Sequence, residues 1–272
     1  MIKLLAQCFI HILYICVNDS ITKMFNTDDL DLWNLYLSKY EFVLNQFSIK
    51  KKKTSLVNLD SWFHNVLGNE LQKNQHLTKE QLVKVMEWKL TKGIFRPSLQ
   101  NLIKENDSNS VIKFSENAFK LVDTCEAIKE LCNLRGVGPA TASAILTAFS
   151  PERFGFMSDE SVKEVLPGKI KYTFNYYQTY LEKISEKAND LTIKDNRRWT
   201  PCDIEKALWS SRVTKILKLN LKKVVSDSEV QNETQHNNCL ALVVRAPLKR
   251  ELSDFLIDVS TKKKQKKNSK KK

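Results

Sequence analysis

The chain has 272 residues, of which 42% are hydrophobic and 28% are charged, and its formal net charge is +13. These proportions exclude a low-complexity or wholly disordered protein, and the length suffices for one large folded domain or two modest ones. Eight lysines and no acidic residue occupy the last eleven positions, KKKQKKNSKKK, so the remainder of the chain carries only about +5.

An apolar run, LLAQCFIHILYICV, occupies residues 4–17 near the start of the chain. It is too short to cross a membrane, although its length is typical of the core of a signal peptide. Gln7 and His11 interrupt the run, and no small-x-small cleavage site follows it. We therefore expect an extra N-terminal helix, or sequence upstream of a doubtful start codon, with a signal peptide as the alternative. Residues 1–24 are an apolar segment of uncertain role.

Residues 25–221 are predicted to form an all-α domain, because their apolar residues recur at three- and four-residue spacing. One helix is predicted over Asp28–Phe47, followed by a loop at the lysine run 50–53. A second is predicted over Leu56–Leu71, with Trp62 and Phe63 facing inward. After residue 221, the segment 239–248 is apolar enough to form a strand, but no strand partner of comparable strength exists, so a sheet is not expected.

Local capping signals predict where the later helices begin. Thr78 with Gln81, and Thr200 with Asp203, form capping boxes, while Gly93 is expected to end the helix that Thr78 starts. One long amphipathic helix is predicted over Ser115–Leu134, running directly into the segment RGVGPATASAIL.

That segment carries the most informative pattern in the sequence. Gly136 and Gly138 form a tight turn between two helices, and Pro139 suits the first position of the second helix. The unpaired N–H groups of such a turn and helix start attract anions, and a nucleic-acid phosphate fits this kind of site. We expect DNA contacts from the following residues: Arg135, Gly136, Val137, Gly138, Ala140 and Thr141.

The amphipathic helix, the Leu-x-Gly-Val-Gly turn and the small-residue helix that follows resemble the helix-hairpin-helix motif of DNA-binding proteins, over about residues 115–149. An ordinary pair of helices joined by glycines is the alternative. Asp159 lies 23 residues after Gly136 and is followed by Val162 and Val165. This spacing resembles that of the helix-hairpin-helix DNA glycosylase superfamily, which implies a two-subdomain helical fold in which Asp159 is catalytic. The alternative role for Asp159 is a first-turn acid that complements the helix dipole.

The resemblance to this superfamily also implies which catalytic and cofactor-binding residues the chain lacks. In bifunctional glycosylases a lysine at the position of Ala140 attacks the sugar, so any activity here is expected to be monofunctional. The six cysteines include no Cys-x-x-Cys pair, so neither the iron–sulfur cluster of some family members nor a zinc site is expected, and no cofactor is predicted.

A narrower resemblance covers most of residues 30–215. The segments MEWKLTKGIFRP, RGVGPATASAIL, FMSDE and WTPCDIEKALW are similar to signatures of the Amun-like proteins, a eukaryotic group related to glycosylases. In the first segment, Lys92 and Arg96 lie beside an aromatic residue and are predicted to face DNA. Lys89 lies on the apolar stripe of its helix, where either a functional role or a buried ion pair would explain it.

A flipped-out base needs a pocket, and aromatic side chains commonly line such pockets. Simple core packing is the alternative role for each aromatic candidate: Trp88, Phe95, Phe154, Phe156, Tyr176 and Trp209.

Residues 222–272 are predicted to be a disordered linker and a lysine-rich tail. With Lys249 and Arg250 upstream, the tail resembles a bipartite signal for a nuclear import receptor, although a solubilising tail is the alternative. The sequence therefore favours a nuclear protein that binds double-stranded DNA, with no membrane association. We expect it to act either as a monofunctional glycosylase in base excision repair or as a catalytically inactive DNA- or chromatin-binding module. A protein-interaction domain is the third alternative.

Overall fold

Helices account for all the regular secondary structure in residues 23–221, the part of the chain that the computed structural model describes. The predicted all-α class is therefore confirmed over this range. The apolar run 4–17, the possible strand at 239–248 and the lysine tail lie outside the described residues. The chain divides into one unit up to Leu219 and a second from Asn220 onward. The two-subdomain glycosylase-like arrangement stays a prediction.

A short 3-10 turn at Met24–Asn26 precedes the α-helices, and a π-helical turn at Phe63–Leu67 joins the third to the fourth. In chain order the α-helices are α1 (Leu30–Ser38), α2 (Tyr40–Lys51), α3 (Leu56–Trp62), α4 (Gly68–Asn74), α5 (Lys79–Lys92), α6 (Pro97–Lys104), α7 (Ser108–Lys120), α8 (Thr124–Leu131), α9 (Pro139–Phe149), α10 (Asp159–Val165), α11 (Phe174–Lys194) and α12 (Pro201–Leu217).

Two buried helices organise the packing. Helix α12 packs against α1, α2, α10 and α11, and Trp209 on this helix is fully buried. Helix α9 packs against α4, α5 and α8, and every residue from Ala140 to Phe149 is buried. Small side chains permit this close packing: a Cβ on Gly68 of α4 would lie 2.8 Å from the carbonyl oxygen of Ala148. The hairpin helix α9 is therefore a core element rather than a surface helix.

The predicted helix starts are confirmed. Both capping boxes form, with the hydroxyls of Thr78 and Thr200 accepting hydrogen bonds from the N–H groups of Gln81 and Asp203. Gly93 ends α5 as predicted. These hydrogen bonds join residues three positions apart, so the local sequence is sufficient to specify them.

Three predicted boundaries were wrong. The helix predicted over Ser115–Leu134 is two helices, because the side chain of Asp123 accepts a hydrogen bond from the N–H of Glu126 and starts α8 anew. The helix predicted over Asp28–Phe47 is divided at Lys39. The lysine run at 50–53 is not wholly a loop, since its first two residues form the last turn of α2.

Candidate active site

The hairpin segment, residues 132–138, is held by one hydrogen bond within its turn and by two to the side chain of Asn106. The N–H of Val137 donates to the carbonyl oxygen of Leu134 (3.1 Å), and Gly136, the third residue of this turn, has φ +76°. The buried side chain of Asn106 accepts from the N–H of Arg135 (2.8 Å) and donates to its carbonyl oxygen (2.9 Å). Glycine adopts the left-handed φ of position 136 with the least strain, which explains the glycine there.

The residues predicted to contact DNA at the hairpin differ in whether their side chains are exposed or buried. Arg135 is exposed, and its guanidinium lies 2.9 Å from the carboxylate of Glu105. The side chains of Val137, Ala140 and Thr141 are buried, so these residues can offer a ligand only their backbone. Within residues 23–221, no hydrogen bond engages the N–H of Gly136 or Gly138. The hairpin thus presents N–H groups rather than side chains, apart from Arg135.

The loop that follows α9 is held rigidly and delivers Asp159 to its position. The N–H of Met157 donates to Ser143 Oγ on α9 (3.0 Å), and Tyr177 and Tyr180 on α11 donate to the carbonyl oxygens of Gly155 and Phe156 (3.2 and 3.3 Å). The hydroxyl of Ser158 caps α10 and donates to the buried carboxylate of Glu205 (2.5 Å). Asp159 therefore begins a helix whose start is fixed from three sides.

Asp159 lines a small pocket of about 50 Å³ beside the start of α9. The walls come from α5 and the loop after it, from α9, from the loop before α10, and from α10 itself. The lining residues are Lys89, Leu90, Lys92, Gly93, Ile94, Arg96, Ala140, Phe156, Met157, Ser158, Asp159, Glu160 and Tyr172.

Three polar side chains meet at the pocket mouth. The hydroxyl of Tyr172 donates to Oδ1 of Asp159 over 2.6 Å, and the guanidinium of exposed Arg96 lies 5.3 Å from the centre of the Tyr172 ring. Partial burial and the hydrogen bond to Asp159 raise the pKa of Tyr172 to about 12, so its hydroxyl stays a donor at neutral pH. The carboxylate of Asp159 is thus held in one orientation.

The side chain of Lys89 lines the pocket, and its pKa is lowered from the ordinary value of a lysine. Burial, with a smaller contribution from the positive charge of Arg96, lowers the pKa of Lys89 to about 8, while Asp159 acts in the opposite direction. Burial also raises the pKa of the neighbouring Glu160. The pocket therefore combines a carboxylate, a half-buried amine and a phenol donor within one concave space, an arrangement typical of sites that handle protons.

Lys92 requires a correction, because it is not the surface cation that the sequence predicted. Its side chain is only 2% exposed; Nζ donates to the hydroxyl of Tyr40 (2.7 Å) and lies 3.8 Å from Oδ1 of Asp60. Asp60 also accepts from the hydroxyl of Tyr40 (2.9 Å) and from Nε1 of Trp88 (2.8 Å). This group, residues 40, 60, 88 and 92, is called the Asp60 cluster below. It leaves no Lys92 ammonium at the surface for a phosphate.

Most of the aromatic candidates proved to be core residues. Phe156 lines the pocket, whereas Trp88, Phe154 and Trp209 are buried elsewhere in the packing and Phe95 is exposed. Of two further pocket residues, Lys89 had been left open between a functional role and a buried ion pair, and Tyr172 was missed. Lys89 was noticeable as a charge on an apolar stripe, but Tyr172 lies in an irregular stretch before α11, where nothing in the local pattern indicated a role.

Comparisons with protein-family models, with curated proteins and with solved structures gave no match. The site is therefore interpreted from its own geometry. Within residues 23–221, no group of histidine, cysteine and acidic side chains could hold a metal ion, and no helix is both long enough and apolar enough to pass through a lipid bilayer.

Proposed function

We propose that this protein is a nuclear, double-stranded-DNA-binding protein of helix-hairpin-helix glycosylase type, which excises a base by monofunctional N-glycosidic cleavage with Asp159 as its catalytic carboxylate. One observation carries the proposal: Asp159 lines a concave pocket that is also lined by Ala140, at the start of the hairpin helix. An acid that only complemented the dipole of α10 would need no such pocket.

The chemistry matches the position of the carboxylate. Cleavage of an N-glycosidic bond develops positive charge on the sugar, and a fixed carboxylate beside it stabilises that charge or activates water. The Tyr172 hydroxyl fixes one oxygen of Asp159 and leaves the other available. Such preorganisation lowers the barrier because no reorientation is needed during the reaction.

The surface around the pocket suits a distorted duplex. Ile94 and Phe95 are 63% and 68% exposed, immediately before Arg96 in the loop after α5. Exposed apolar side chains beside a basic residue can enter a base stack and keep it open, while the base occupies the pocket. Lys169 and Lys171 are exposed in the stretch that leads to Tyr172, where they can contact phosphates.

Asp159→Asn is the direct test of this proposal. We expect the rate of base release from duplexes with a single damaged or mismatched base to fall about 100-fold or more, because the charge that stabilises the sugar cation is lost. Asp31→Asn is the matched control. Asp31 is also a first-turn acid; it is exposed on α1 and does not line the pocket, so its substitution should leave the rate unchanged.

Excision that survives Asp159→Asn would show that this carboxylate is not catalytic. A wild-type protein that binds duplex DNA but releases no base would favour the alternative, an inactive DNA- or chromatin-binding module on the same scaffold. This alternative is kept because position 140 is an alanine and not a lysine.

DNA affinity should fall steeply as the salt concentration rises, because phosphate contacts release counterions. A flat salt response would instead support a protein-interaction domain.

Nuclear localisation through the C-terminal lysine run remains part of the proposal. Removal of residues 262–272 should move a fluorescently tagged protein out of the nucleus if this run binds an import receptor.

A further inference from the structure

The start of α10 is joined to a buried acid on α12. Glu205 is 1% exposed, and one of its carboxyl oxygens lies 2.5 Å from Ser158 Oγ. Ser158 is the N-cap of α10, where its Oγ also accepts a hydrogen bond from the N–H of Ser161 (3.3 Å). A contact that fixes Ser158 therefore fixes the first turn of α10, which carries Asp159 into the pocket.

Glu205 has no basic partner that would hold it ionised. Among the residues that the structure describes, no lysine or arginine nitrogen lies within 4.0 Å of its carboxyl oxygens, whereas the buried carboxylate of Glu164 lies 3.4 Å from Arg212 and 3.9 Å from Lys215. Because an unpaired carboxylate loses its solvation in the core, burial favours the neutral acid. A neutral Glu205 has an O–H group and can donate a hydrogen bond, which a carboxylate cannot.

Three hydroxyl groups continue from this acid in a row. Ser158 Oγ lies 2.7 Å from Ser161 Oγ, which lies 2.8 Å from the hydroxyl of Tyr180 on α11. That hydroxyl lies 3.3 Å from the carbonyl oxygen of Phe156, in the loop before α10. The row therefore leads from α12 through α10 and α11 back to a loop that lines the pocket.

The number of protons in this row depends on whether Glu205 is ionised. The row has four links, which join Glu205, Ser158, Ser161, Tyr180 and Phe156 in that order. Its three hydroxyl groups carry three protons, one too few for four links. An ionised Glu205 draws all three toward itself and leaves none for the carbonyl oxygen of Phe156. The proton of a neutral Glu205 is the fourth, and every link is then made in one direction.

We propose that Glu205 is a positioning residue for Asp159, and that as a neutral acid it donates the first hydrogen bond of this row. The row then fixes both the N-cap of α10 and the loop before it. The inference rests on the proposed function in so far as Asp159 is catalytic, whereas the attachment of α10 to α12 does not depend on catalysis.

The surroundings of Glu205 agree with a neutral acid. Burial raises its pKa, while the positive charges of Lys92 and Lys206 and the hydrogen bond with Ser158 act in the opposite direction. The charged and titratable groups that interact with it come from five helices; they are Tyr40 on α2, Asp60 on α3, Lys92 on α5, Tyr180 on α11, and Cys202 and Lys206 on α12.

Infrared spectroscopy of the full chain at neutral pH tests the protonation state. The carbonyl group of a neutral carboxylic acid absorbs at a higher frequency than a carboxylate or an amide. We expect a band of this kind in the wild-type spectrum that is missing from Glu205→Gln. Glu164→Gln is the matched control, because it replaces a buried acid that is ion-paired, and it should leave the band in place. Identical acid bands in the wild type and Glu205→Gln would show that Glu205 is ionised and would overturn the proposal.

Hydrogen exchange tests the positioning role without any substrate. Glu205→Leu keeps the bulk of the side chain but has no donor, so amides in residues 156–162 should exchange about tenfold faster or more. Glu205→Gln should stay near the wild-type rate, because its amide N–H can donate to Ser158. Ser210→Ala is the control on the same helix, since the Ser210 hydroxyl donates to the carbonyl oxygen of Lys206 within α12.

Wild-type exchange rates in Glu205→Leu, or equally raised rates in Glu205→Gln, would contradict the positioning role. The infrared measurement needs only the conservative variant, so the proposal can still be overturned if Glu205→Leu does not fold.

Base release separates this inference from the proposed function. Glu205→Leu should lower kcat about tenfold at unchanged KM, because Asp159 is displaced while the hairpin is not. An unchanged kcat in this variant, despite faster exchange, would overturn the positioning role and leave the proposed function intact. No base release by the wild type would overturn the proposed function, and hydrogen exchange then decides whether Glu205 fixes α10.

Discussion

Asp60→Ala is expected to lower the free energy of unfolding by about 3–5 kcal/mol. Asp60 is 3% exposed, and its carboxylate lies 3.8 Å from the buried ammonium of Lys92. Its removal leaves a charge in the core without that partner and also leaves the N–H of Trp88 and the hydroxyl of Tyr40 without their acceptor. Urea denaturation measures the loss.

The double variant Asp60→Ala, Lys92→Met shows whether the charge is the cause. Because methionine removes the stranded ammonium, the double variant should be less destabilised than the sum of the two single variants, by at least about 1 kcal/mol. Glu126→Ala is the control, since it removes a surface ion pair with Lys129 and should have little measurable effect. Strict additivity would contradict the assignment of the Asp60 cluster as one coupled unit.

Gly136→Ala is expected to cost about 2–4 kcal/mol of folding free energy, whereas Gly138→Ala should cost less than about 1 kcal/mol. Gly136 has φ +76°, and a Cβ there would lie 3.1 Å from Leu102 Cβ and 3.2 Å from the backbone nitrogen of Ile103. Gly138 has φ −111°, and a Cβ there would meet nothing within 4 Å. Thermal and urea unfolding of the two variants measure the difference.

The same pair separates folding from DNA binding. Gly138→Ala keeps the fold but places a methyl group on the open side of the hairpin segment, where the N–H groups would meet a phosphate. Its affinity for duplex DNA should therefore fall, by about threefold or more, at unchanged stability. Unchanged affinity would contradict the hairpin as a phosphate site, even if the protein binds DNA elsewhere.

The sequence was sufficient for features that depend on neighbours along the chain. Thr78 with Gln81 and Thr200 with Asp203 start helices through hydrogen bonds that span three residues. The turn at Gly136 was likewise predictable, because it needs a left-handed backbone that few other residues adopt. The break before α8 was missed, since apolar spacing continues across Leu121–Asp123 and hides the cap that Asp123 provides.

Charged side chains on helix faces were harder to interpret. Lys92 and Arg96 lie four residues apart in one segment, yet the first is enclosed by Tyr40, Trp88 and Asp60 while the second is exposed. The partners of Lys92 on α2 and α3 lie 52 and 32 positions away, so no local pattern could distinguish a surface cation from a buried one. Hydrophobic periodicity reports which face is inside, but not whether a charge on that face finds a partner.

By itself, the sequence determined that residues 25–221 are largely helical, where several of the helices start, and that a glycine turn at Gly136 lies 23 residues before Asp159. These follow from backbone conformation and hydrogen bonds over a few residues. Only the tertiary structure decided that Asp159, Lys89 and Tyr172 line one pocket. They come from three separate parts of the chain, and their convergence depends on how α5, α9 and α10 pack, which short-range rules do not specify.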